Sequence, residues 1–131
     1  MNTITELGVA IPPFMPEKAH VMTITIEVPP GDAGAPPHRH SGPVFGYVLE
    51  GELIFELEGE PERVVTAGQA FWEPGGDVIH YQAANNSDEM PVRFVAVMVC
   101  VPGEPMLTLV EPDELSARRD RRAPRPANAR F

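Results

Sequence analysis

Proline and glycine set the limits on how this chain can fold. Among its 131 residues are 16 Pro and 11 Gly, and they punctuate short runs rich in Val, Ile, Thr and aromatic residues. The runs are VMTITIEV (21–28), VFGYVLEG (44–51), ELIFELEG (52–59), ERVVTAG (62–68), QAFWE (69–73), VIHYQAA (78–84), PVRFVAVMVC (91–100) and MLTLV (106–110). Many short β-forming segments separated by turn residues predict an all-β sandwich or barrel. The best helical candidate, PDELSARRDRR (112–122), opens on Pro112 and Asp113 but has no apolar face long enough to anchor it. The length suits one domain.

Alternation assigns faces to these strands. Leu53, Phe55 and Leu57 share one side of their run, and Ile54, Glu56 and Glu58 share the other. That pattern predicts a half-buried strand with an acidic outer face. The segment 93–101 is apolar on both faces and must be covered twice. In a chain this small a partner subunit is the expected second cover, so a homodimer is predicted.

Charge is distributed unevenly. Residues 1–117 carry 4 basic and 18 acidic side chains, a formal −14, whereas residues 118–131 carry 6 Arg and 1 Asp, a formal +5. An acidic body repels nucleic acid and acidic membrane surfaces. No apolar run reaches the roughly 18 residues that a spanning helix needs. Neither nucleic acid nor a membrane is therefore an expected partner. Residues 1–117 are expected to form the domain, and 118–131 an Arg-rich disordered tail, solvated or folded back onto the acidic body. The N-terminus shows no secretory pattern, and the single cysteine, Cys100, lies in an apolar run suited to packing. Together these suggest a cytoplasmic location.

Chemistry concentrates at the histidines. His38 and His40 stand two residues apart, so on an extended chain both point to one face and can reach one ion. Pro36 and Pro37 stiffen the approach. A third histidine, His80, follows the turn Pro74-Gly75-Gly76-Asp77 at the start of a further strand. His20 has no such partner and reads as a surface residue.

In these residues the chain resembles the cupin superfamily of small double-stranded β-helix, or jelly-roll, barrels. The first cupin motif runs Gly, five residues, His-x-His, three or four residues, Glu, six residues, Gly. Here His38, His40 and Gly51 match, Val44 stands at the Glu position, and Gly31 lies one residue too early. The second motif runs Gly, five residues, Pro-x-Gly, two residues, His, three residues, Asn. Gly68, Pro74 and Gly76 fit it, while His80 and Asn85 each come one residue late. The resemblance spans roughly residues 21–101. It implies a cupin barrel holding one divalent metal ion (Fe, Zn, Mn, Ni or Cu), with His38, His40 and His80 as ligands.

Val44 ligates nothing, which leaves three readings open. Three imidazoles alone hold the metal; or another acid replaces the missing one, Glu73 first and Asp77 next; or the barrel has become a non-catalytic binding or sensing module. In the second reading Glu73 is a ligand or a general base. Strand parity from His80 puts Gln82 on the same face, as a second candidate catalytic group that holds a substrate oxygen or a metal-bound water. The resemblance further implies action on a small, oxygen-rich organic molecule, by dioxygenase chemistry or by enolate-type isomerase, cyclase or lyase chemistry.

Overall fold

The computed structural model describes all 131 residues. Nine strands form: β1 (His20–Val28), β2 (His38–Arg39), β3 (Val44–Glu50), β4 (Glu52–Leu57), β5 (Arg63–Thr66), β6 (Ala70–Glu73), β7 (His80–Asn85), β8 (Val92–Cys100) and β9 (Thr108–Leu109). One sheet has the order β1-β8-β3-β6 and the other β5-β4-β7-β2-β9, and all pairings are antiparallel. Two facing antiparallel sheets with their strands exchanged in this order are the all-β, double-stranded β-helix architecture that the motifs imply.

The inner faces follow the sequence alternation. Val44 and Val48 from β3, Leu53, Phe55 and Leu57 from β4, Phe71 from β6, and Phe94, Ala96, Met98 and Cys100 from β8 form one buried cluster. Burying a side chain of the Val, Leu or Phe class stabilises the fold by about 1.5–3 kcal/mol, so this cluster is the main force closing the barrel. Gly46 belongs to the packing. A Cβ there would lie 2.0 Å from the ring of Phe71 on the paired strand, so only glycine lets that ring seal the interior.

The outer face of β4 departs from expectation. Ile54 and Glu56, predicted to face solvent, are buried. The chain after β9 covers Glu56. It forms a short helix, α1 (Pro112–Ala117), then a 3-10 turn at Arg119–Arg121. Leu115 packs with Ile79, Tyr81 and Val110 in a second, smaller apolar cluster. Beyond residue 117, the arginines fold back onto the acidic body. Arg118 pairs with Glu58 and Asp77, Arg122 with Glu56, Arg125 with Glu62 and Arg130 with Asp88. Arg122 makes two hydrogen bonds to Glu56, of 2.8 and 2.7 Å, and its guanidinium lies 4.4 Å from the centre of the Tyr81 ring. The helical candidate at 112–122 thus forms about one and a half α-helical turns, anchored by Leu115 and by ion pairs rather than by an amphipathic face.

Candidate metal centre

The two motif halves meet through backbone pairing. His38 on β2 lies directly opposite His80 on β7. The Pro-Gly-Gly turn locks against the His-x-His segment: Gly76 N–H donates to the His40 carbonyl at 2.7 Å. Gly75, at φ 73°, packs so close that a Cβ would sit 2.0 Å from the Gly42 carbonyl oxygen. This position needs glycine both for its left-handed conformation and for its contact.

His38, His40 and His80, the ligands that the cupin resemblance implies, lie together. All three are buried, and one potential ligand atom from each lies within 4.8 Å of the others. The His38 ring centre is 4.8 Å from those of both His40 and His80. Carbonyl groups orient two of the rings. Nδ1–H of His38 donates to the Pro36 carbonyl at 2.8 Å, and Nδ1–H of His40 to the Met106 carbonyl at 2.6 Å. A carbonyl only accepts, so each Nδ1 carries the proton and each Nε2 keeps a free lone pair. Such a backbone brace is the usual support of a metal-ligating histidine.

Glu73 lies beside this trio, near His40 and His80, although the group whose ligand atoms all lie within 4.8 Å of one another is the three histidines alone. It is buried at the end of β6, paired across the ladder with Val44. Directly opposed residues on antiparallel strands project from the same face of the sheet. A carboxylate from β6 therefore enters the site beside the valine that occupies the β3 ligand position. Glu73 Oε2 lies 3.1 Å from His80 Nδ1, and Oε1 lies 3.7 Å from His40 Nε2. Apart from this contact with Glu73, both ring nitrogens of His80 are buried without a partner.

Electrostatics suit ligation. Burial, with the nearby His80 and His40 rings, lowers the His38 pKa to about 4 against the raising influence of the Pro36 carbonyl and Glu73. His38 is then neutral at neutral pH, the form that binds metal. Burial pushes the Glu73 carboxyl up, but His80, His40 and His38 together outweigh it and hold the carboxyl below its usual value. Three imidazoles with braced tautomers, an unpartnered buried pair of nitrogens on His80 and an ionised carboxylate fit a divalent transition metal.

The other site candidates lie elsewhere. Gln82 does not line this cavity. The β4–β7 register pairs Gln82 with Glu56 and His80 with Leu57, leaving Tyr81 as an extra residue. That bulge reverses the parity counted from His80, because two residues of β7 occupy the space of one. Gln82 instead donates to Glu56 at 2.7 Å, on the face covered by the C-terminal arginines. Asp77 is exposed in its turn and pairs with Arg39 and Arg118. Asn85, unassigned from the sequence, is a structural clamp. Its side chain donates to the carbonyls of Val28, Pro29 and Met90 and accepts from the Ser87 N–H. The Met106 brace had no sequence signal, since any residue supplies a carbonyl.

The histidines and Glu73 open onto a cavity of about 150 Å³. Its other walls are apolar: Phe71, Phe94, Ala96 and Met98 lie deep, and Ile24 and Met106 lie nearer the surface.

Comparison with known proteins agrees with this fold. Residues 24–99 match the family described as "Cupin domain". No curated protein matches. An uncharacterized conserved protein with a double-stranded beta-helix domain from Klebsiella pneumoniae is similar, at 22% identity and TM-score 0.55, over 70% of this chain and 75% of that one. DMSP lyase DddQ from Ruegeria pomeroyi gives 22% identity and TM-score 0.57, over 71% of this chain. An oxalate oxidase in complex with the substrate analogue glycolate gives 25% identity and TM-score 0.54, over 76% of this chain. This chain spans only 44% of the lyase and 56% of the oxidase. With a family match over more than half its length and the barrel it predicts, the chain belongs to the cupin family.

Proposed function

We propose that this cupin holds one divalent metal ion through His38, His40 and His80, with Glu73 as the fourth protein donor or as a base beside it, and acts on a small organic molecule. The observation that carries the reading is the position of Glu73: buried, opposite Val44, and 3.1 Å from His80 Nδ1. Three neutral imidazoles and one carboxylate leave a dication with a single positive charge, which favours an anionic oxygen ligand. When bound, the metal would supply Lewis acidity and a template for orienting substrate. The chain's own residues do the rest. The Pro36 and Met106 carbonyls hold the His38 and His40 rings in place, the apolar walls exclude water, and Glu73 is placed to accept a proton from a substrate carbon or oxygen.

Dioxygenase chemistry comes first among the reactions, followed by isomerase, cyclase or lyase chemistry through an enolate. Similar structures named as an oxidase and a lyase support an enzyme of this broad kind without choosing between them. The second reading is a non-catalytic binding barrel, favoured by the scarcity of polar groups in the cavity beyond the cluster. Metal analysis of the purified protein, with His38→Ala and His80→Ala alongside, tests the centre. Stoichiometric metal in the wild type, lost in both variants, is expected. A protein that never acquires metal would sink the enzyme reading. If iron is bound, oxygen uptake with diketones or aromatic acids separates the oxygenase from the others.

A further inference from the structure

Resting on the metal-centre reading, we infer that the substrate is a small molecule with an apolar body and one oxygen-bearing group, and that this group sits at the histidine end. The inference comes from the rest of the cavity. Of the side chains lining it, only His38, His40, His80 and Glu73 are polar. No Lys, Arg, Ser, Thr, Tyr, Asn or Gln reaches it. The outer part is no different: the half-buried Ile24, Ile26, Met106 and Leu107 and the exposed Ala35 are all apolar. The nearest candidates for a second binding group serve elsewhere. Gln82 is engaged by Glu56, Arg39 by Glu114, and the Arg63 guanidinium lies 5.2 Å from the centre of the Phe55 ring and outside the cavity lining.

Size narrows the class further. A cavity of about 150 Å³ matches the volume of engineered apolar cavities that admit benzene, so the body has on the order of six to eight non-hydrogen atoms. A hydroxyl carried into such walls loses its water and finds no partner, which weakens binding roughly ten- to hundredfold, and an unpaired carboxylate loses more. Sugars, polyols and dicarboxylates with a distal charge are therefore selected against. This refines the oxygen-rich substrate expected from the sequence: its oxygens must cluster at one end.

The test uses the full-length protein loaded with cobalt(II), whose visible bands report a change of ligand. Cobalt content is measured first, in the wild type and in His38→Ala. The loaded protein is then titrated with 4-methylpentanoate and with succinate, which have equal heavy-atom counts and differ in whether the far end is branched alkyl or carboxylate. The expected result is binding of 4-methylpentanoate at least about a hundredfold tighter than succinate. Equal or tighter succinate binding on a cobalt-loaded protein overturns the inference and leaves the metal centre standing. Absence of cobalt, or equal cobalt in His38→Ala, overturns the metal reading and the inference with it, before any acid is added. Leu107→Lys, at the partly exposed rim, is expected to raise succinate affinity about tenfold and to weaken 4-methylpentanoate, so that the preference between the two narrows. If it does not move succinate, the apolar wall is not what discriminates.

Discussion

At the scale of single residues, Val44 and Glu73 are the pair that gives this site its character. They face each other across β3 and β6, so a carboxylate from the neighbouring strand stands beside the position where the family motif has its own. The exchange should be reversible. Glu73→Gln keeps the shape and removes the charge, and metal affinity is expected to fall about 10–100-fold, read by metal content after dialysis. The double variant Val44→Glu with Glu73→Val returns the carboxylate to β3, and metal retention is expected to recover to within about tenfold of wild type. Val44→Glu alone places two buried carboxylates side by side, which raises the pKa of one of them and destabilises the metal-free protein. A melting temperature unchanged by that substitution would mean that residue 44 does not face Glu73.

At the scale of elements, β7 and the C-terminal segment explain one another. The bulge at Tyr81 turns Gln82 and Tyr81 toward the outside of the sheet, where Glu56 is also buried. That face would be untenable without a cation. Arg122 supplies it, with its side chain 26% exposed against 1% for Glu56. Removing one partner of a buried pair costs roughly 3–5 kcal/mol. Because Arg122 keeps partial contact with water, Arg122→Ala is expected to cost about 2–3 kcal/mol, measured by urea unfolding. The pair also makes stability depend on pH. Burial raises the Glu56 carboxyl, but Arg122 and Gln82 more than offset this and hold it below its ordinary 4.5. A carboxyl lowered in the folded state stabilises the fold above its unfolded value and loses that contribution as pH falls through the folded one. Stability should therefore decline as pH drops below about 4.5, and less steeply in Glu56→Gln. Parallel acid limbs in the two proteins would contradict this.

At the scale of the whole molecule, the sheet β1-β8-β3-β6 has an incompletely covered outer face. Val95 and Val97 on β8 and Phe45 and Trp72 beside them stay partly exposed, and Val21 on the edge strand β1 is 63% exposed. Ile4, Leu7, Val9, Ile11 and Phe14 of the N-terminal arm are exposed as well. So much apolar surface favours association with a second copy. Light scattering is expected to give a mass of twice 14.3 kDa at micromolar concentration, and a monomer mass there would count against the dimer.

How much of this was legible beforehand divides along one physical line. The barrel class and the inner face of β4 follow from side-chain alternation and turn chemistry, which are local properties of the chain, and the grouping of three histidines follows from the resemblance to the cupin motifs. The sequence also raised Glu73 as the substitute acid, but only strand pairing sets it opposite Val44. The outward turn of Gln82, the Met106 brace on His40 and the burial of Glu56 under Arg122 were not legible. A bulge changes parity without leaving a mark in the hydrophobic pattern, a carbonyl can come from any residue, and a charge pair across 66 positions exists only once the chain has closed. Residue types and their spacing determined what the site is made of, and the register between strands decided which of those residues meet.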